Sequence, residues 1–239
     1  MQILDRLTLF TVLDFVALGL LFLAWFLIGW LIQHPNRKRP SVSVLMARYR
    51  REWMRQMVTR QPRIFDAQTL STLRQGTSFF ASAALIAIGG ALAAIGNAEQ
   101  LVGVAHDLTL NADPKFVWVI KLLVTLLLLT NAFLKFVWSH RLFGYCAVLM
   151  GAVPNDAKDA AALPRALKAA EINITAARSY NQGLRSIYFA LASTAWLAGA
   201  IALIAAIAAT FAVLWRREFA SNSRSILMQE DDTTGHTQS

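Results

Sequence analysis

Four long apolar runs constrain this chain more than any other feature. They are 10–32 (FTVLDFVALGLLFLAWFLIGWLI), 78–97 (SFFASAALIAIGGALAAIGN), 116–138 (FVWVIKLLVTLLLLTNAFLKFVW) and 188–215 (YFALASTAWLAGAIALIAAIAATFAVLW). A helix crosses a bilayer's hydrocarbon with about 20 mostly apolar residues. Lipid offers no partner for an unpaired backbone N–H or C=O, so a spanning segment is either a helix or part of a closed barrel. The in–out alternation of a barrel strand is missing. The expected fold is therefore all-α: a polytopic integral membrane protein with four transmembrane helices. Composition agrees, with 56% hydrophobic and 15% charged residues and a mean hydropathy of +0.46, against about 25% charged in soluble domains. Trp25, Trp30, Trp118, Trp138 and Trp215 fall near run ends, as an interfacial aromatic belt requires. The first run ends in WLIQHPNRKRP rather than at a small-residue cleavage site, so it is expected to remain as an anchor. Residues 1–219 read as one membrane domain and 220–239 as a disordered polar tail.

The net charge of +9 is unevenly placed. Residues 33–77 hold Arg37, Lys38, Arg39, Arg48, Arg50, Arg51, Arg55, Arg60, Arg63 and Arg74. The next connection holds only Lys115, beside Glu99, Asp107 and Asp113. The one after that holds Arg141, Lys158, Arg165, Lys168, Arg178 and Arg185. Positive loops stay in the cytoplasm, so the first and third connections face in, and a bacterial inner membrane is the expected location. Four spans then place both termini outside. Asp5 and Arg6 are compatible with that, but Arg216, Arg217 and Arg224 after the last run conflict with it, and the acids Glu230, Asp231 and Asp232 count for little in this rule.

Between the first two runs, residues 41–61 place Val42, Leu45, Met46, Tyr49, Trp53 and Met57 at three- and four-residue steps. That spacing predicts an amphipathic helix, with Ser41 as N-cap and Pro62 closing it. Such a helix suits the plane of an anionic inner leaflet, with Arg48, Arg51, Trp53 and Arg55 facing lipid. Packing on the cytoplasmic end of the bundle and docking a partner are the other uses of the same pattern. Nucleic acid is not expected, because no recognition motif accompanies the charge. The short apolar run 142–153 reads as the third helix continuing into water. A second cytoplasmic helix is expected from Pro164 into the fourth run, with Gly183 as its weak point.

Ionisable residues inside spans are costly and often functional. Asp14 and Lys121 each lie about one turn inside a span and are expected to pair near the outer face. Asn131 is deeper and suited to an interhelical hydrogen bond. Lys135 is close enough to the inner face to snorkel. Arg63, Asp66, Arg74, Arg141, Asn181 and Arg185 are candidates for a polar cluster at the inner mouth. Small residues in the second run (Ala83, Ala87, Ala91; Gly89, Ala93, Asn97) and the fourth (Ala195, Gly199, Ala202, Ala206) predict buried faces. The Leu-rich third run is expected to face more lipid. One cysteine, Cys146, excludes an intramolecular disulfide. No nucleophile elbow, Walker A, HExxH or GxGxxG motif occurs, so neither enzymatic activity nor a cofactor is expected.

The segments YRREWMRQMVTRQPRIFDAQTLSTLRQGTSFFASAALIAIGGALA, FLKFVWSHRLFGYCAVLMGAVP and SYNQGLRSIYFALASTAWLAG resemble the membrane family catalogued as domain of unknown function 599, over about residues 10–215. The resemblance implies four helices and a basic first inner loop, and it implies no activity. The leading expectation is a non-enzymatic membrane protein that contacts anionic lipid and assembles with itself or with a larger membrane complex. The alternative is a small oligomeric transporter or channel for an ion or small anionic solute.

Overall fold

The computed structural model describes residues 8–34, 39–107 and 114–229; Asp5, Arg6, Arg37, Lys38, Asp113 and the tail from Glu230 lie outside the described residues. Helices α1 (Val12–Gln33), α2 (Val42–Met57), α3 (Ile64–Gly96), α4 (Ala98–Asp107), α5 (Lys115–Gly151) and α6 (Ala162–Thr194) are followed by a 3₁₀ turn, Ala195–Ala198. Then come α7 (Ala200–Phe219) and α8 (Asn222–Leu227). Among the described residues there is no strand. Four stretches are long and apolar enough to cross a membrane: α1, α3, α5 and Ala200–Leu227.

Local chemistry sets the helix starts. Thr11 and Asp14 form a capping box: Thr11 Oγ1 accepts from the Asp14 N–H at 3.2 Å, and Asp14 Oδ2 accepts from the Thr11 N–H at 2.9 Å. Two orphan donors at the start of α1 are thereby satisfied. Ser41 caps α2 through its Oγ, which accepts from Val44 N and donates to the Ile32 carbonyl at 2.8 Å. One hydroxyl thus ties the start of α2 to the end of α1.

The antiparallel pair α5/α6 is the spine and forms the most extensive helix contact. Thr125 and Ser193 share a buried hydrogen bond of 2.7 Å, and Ser139 Oγ donates to the Ala176 carbonyl at 2.7 Å. Asn131 Oδ1 accepts from Ser186 Oγ at 3.0 Å. Ala162, Ala166, Ala169, Ala170 and Ala176 are buried and let α6 approach closely. Gly183 does not weaken the helix. The fully buried ring of Phe136 fills the space where a β-carbon would stand, with Cε1 2.7 Å from that position.

Three expectations are corrected. The run 188–215 is not one helix: it breaks at Ala195–Gly199, and Gly199 has φ 114°, a conformation open to glycine and closed to most other residues. The first arm belongs to α6, and α7 returns beside it. Asp14 meets Trp196 at one end of α1, and Ser43, just past the other end, meets Glu218. So α1 and α7 run parallel, and Arg216, Arg217 and Arg224 finish at the same end as the arginines of α2. Of the described Lys and Arg, only Lys115 and Lys121 belong to the opposite end. The charge conflict in the sequence disappears with the extra turn.

Second, α2 is not set flat across the spans, as a helix in the leaflet plane would be; it takes the packing use of its pattern. Ser43 contacts Glu218, then Arg50 reaches Asn173, Arg51 reaches Glu171, and Met54 and Met57 join a core with Ala162, Ala166 and Met150. Contacts that advance along α2 retreat along α6, so α2 packs lengthwise and antiparallel on it, away from the apolar section. Its buried side chains are Leu45, Met54 and Met57. Third, α5 is the most buried of the candidate spans and α3 the least. Ala83, Ala87, Gly89, Ala93 and Asn97 are exposed, because α3 packs along α5 almost alone. Within 220–239, Asn222–Leu227 is helical. Ser221 caps it, and Arg224 Nε donates to the Pro40 carbonyl at 2.9 Å.

Candidate functional site

The end that gathers the arginines holds a cavity of about 450 Å³ between α2, α6, the end of α1 and the end of α7. Arg48, Arg50, Arg51, Arg178, Arg185 and Arg217 line it, with one acid, Glu218. On α6 the stripe Arg178, Asn181 and Arg185 repeats at three- and four-residue steps and so presents one face. Most of the charge is already placed. Glu218 is engaged by the Ser43 N–H and Oγ, each at 3.1 Å. Arg50 donates to Asn173 Oδ1, and burial pushes its guanidinium below the ordinary arginine value. Arg51 Nε donates to Glu171 at 2.6 Å. That bond raises the Arg51 value and holds the Glu171 carboxyl below the usual range. Arg217 donates to the Tyr188 hydroxyl at 2.8 Å.

Arg185 differs from these. It is 6% exposed; among the described residues no side chain or carbonyl hydrogen-bonds its guanidinium, and the Glu218 carboxylate acts on it only at longer range. Its guanidinium carries five donors, and these face the cavity rather than a protein acceptor. The side chain lines both the basic cavity and a neighbouring groove. A guanidinium is planar, always charged and forked for bidentate contact with phosphate or carboxylate.

The expected inner-mouth cluster is divided by the structure. Asn181 and Arg185 meet in the basic cavity. Arg63 is spent on backbone carbonyls, donating to Val153 and Pro154 at 2.7 Å each and to Val58 at 3.2 Å. Asp66 is fully buried and takes Arg60 and the Trp53 indole N–H. Arg74 donates to His140 at 3.3 Å, and Arg141 turns to Tyr145. These four belong to the start and body of α3 and to α5, and none of them lines the basic cavity. Of the residues expected to face lipid, Arg48 and Arg55 are exposed, while Arg51 and Trp53 bind Glu171 and Asp66. Arg51 turns along the half-exposed flank of α6, and Trp53 turns toward α3. Arg50, Arg178 and Arg217 were not singled out from the sequence. The α6 stripe was a readable signal for Arg178; Arg217 was hidden by the assumption of an unbroken fourth span.

At the opposite end Asp14 and Lys121 line a separate cavity of about 290 Å³. Trp196 stands between their roles. Its indole N–H donates to Asp14 Oδ1 at 2.7 Å, and Lys121 Nζ lies 5.9 Å from its ring centroid. The two end cavities share no lining residue. Between them lies a layer of buried Leu21, Ile28, Leu128, Phe189 and Leu203.

Helices of membrane-crossing length, a buried small-residue spine and a cluster of arginines at one end define an all-α polytopic membrane protein. A family model described as "Protein of unknown function, DUF599" matches residues 16–223, and the chain belongs to that family. No curated protein and no solved structure matches it.

Proposed function

We propose that this is a non-catalytic membrane protein that binds a phosphate-class anion in the basic cavity, at the cytoplasmic face. The guanidinium of Arg185, with no hydrogen-bonded partner among the described residues and its donors open to a cavity, carries this reading. The positive-inside rule supports the orientation. The surplus of arginine over acid around the cavity suits an anion with more than one charge. The sealed apolar layer between the two end cavities weighs against a channel through a single chain. Calorimetric titration of the purified protein with inorganic pyrophosphate tests the proposal. Saturable binding that weakens with salt and is lost in Arg185→Gln is the expected result. Equal binding by Arg185→Gln and wild type contradicts it.

Self-association is a second reading, favoured by the exposed small-residue surface of α3, where Ala83, Ala87 and Gly89 are uncovered. Native mass spectrometry from mild detergent decides it. A dimer or higher oligomer that Ala87→Leu dissociates is expected, and a monomer at every concentration rejects it.

A further inference from the structure

We infer that the anion is the headgroup of a membrane lipid carrying two or more negative charges, entering sideways from the bilayer through a groove beside α1. This rests on the anion-binding reading above and adds the ligand's class and its route. The groove encloses about 310 Å³ between α1, α5 and α6, and Phe26, Trp30, Lys135, Gln182 and Arg185 are among its walls. Phe26 is 65% exposed and Trp30 59%. On a helix of this hydropathy those rings face lipid chains. Gln33 and Arg185 line both the groove and the basic cavity, so the guanidinium stands where the two meet. Gly29 lies directly against it: a β-carbon there would be 3.9 Å from Arg185 Nε. The missing side chain leaves a window in the wall of α1 opposite the charge.

A free inorganic anion has no use for an aromatic groove at membrane depth. An amphipathic anion uses every part of it. Its chains lie along Phe26 and Trp30, and its phosphate sits between Lys135 and Arg185. The remainder of its head extends toward Arg48, Arg178 and Arg217. Lys135 reaches headgroup level by snorkelling, and basic pockets between helices on the cytoplasmic side are a recurrent way to hold multiply charged lipid heads. The lone acid of the cavity, Glu218, is held by Ser43 and is outnumbered by the six arginines that line the cavity with it.

The test uses the full-length protein in neutral detergent, with thermal unfolding read against added cardiolipin, phosphatidylcholine or inorganic pyrophosphate. Cardiolipin is expected to raise the unfolding midpoint well beyond phosphatidylcholine. Arg185→Gln is expected to weaken both cardiolipin and pyrophosphate about tenfold or more, the scale of losing hydrogen bonds to a charged group. Gly29→Leu projects its side chain toward the preceding turn of α1 and so into the groove; it is expected to abolish the cardiolipin response and keep that to pyrophosphate. Lys135→Gln, which changes charge only in the groove, gives the same split if Gly29→Leu does not fold. Stabilisation by pyrophosphate without stabilisation by cardiolipin overturns the lipid inference and leaves the anion reading standing. So does an undiminished cardiolipin response in both groove variants. No response to either probe overturns both.

Discussion

At the residue scale, single side chains decide how close the helices come. Gly183 exists because Phe136 occupies the space of its β-carbon. Gly183→Ala overpacks a buried contact and is expected to cost about 1–3 kcal/mol, read as a lower unfolding midpoint in detergent, with Phe136→Leu partly restoring it. A midpoint equal to wild type would show that the ring has room to move. The Glu171–Arg51 bond is a half-exposed surface pair, so its contribution is under about 1 kcal/mol. The folded Glu171 carboxyl is depressed by the Arg51 hydrogen bond. Its stabilisation is therefore complete above the usual carboxylate range and lost as pH falls through the lower folded value. Glu171→Gln is expected to lower the midpoint slightly at neutral pH and to match wild type in strong acid. These partners were not legible in the sequence. Periodicity assigned Trp53 and Arg51 to faces of a helix, but the neighbour each meets depends on tertiary packing: Glu171 of α6 lies 120 residues from Arg51, and Asp66 of α3 meets Trp53 only once the chain has turned back.

At the scale of elements, the informative difference lies in 188–215. Hydropathy averages across a tight turn made of apolar residues, and AWLAG is apolar throughout, so one long helix was the natural reading. The backbone sign was Gly199 alone, and the electrostatic sign was the cluster of arginines that the single-span reading left on the wrong side. Gly199→Ala forces a β-carbon into φ 114° and is expected to cost about 1–3 kcal/mol, while Gly199→Ala in an otherwise stable background leaves the helix content by circular dichroism unchanged. An unaltered thermal midpoint would mean that the turn tolerates another geometry. By contrast the start of α2 was legible, since Ser41 before an amphipathic repeat is a local signal and its hydroxyl does cap Val44. Its placement was not, because a helix with arginine on one side and methionine and tryptophan on the other suits a bilayer surface and a helical spine equally well.

At the scale of the whole molecule, the apolar runs made the class of fold legible, since lipid permits so few alternatives. Of the candidate site, Asn181 and Arg185 were named from the sequence, yet the arginines of α2 and α7 that complete the cavity required the three-dimensional arrangement. The cavity exists only because the C-terminal helix returns to the end where α2 begins, so chain direction is the central claim. Impermeant thiol labelling tests it in a Cys146→Ala background, with single cysteines introduced at Glu99, Gln56 and Ser223, all exposed positions. In intact cells the account predicts labelling at position 99 from outside, and at positions 56 and 223 only after the membrane is opened. Labelling of position 223 from outside, with position 56 protected, would place α7 and α2 on opposite faces and contradict it.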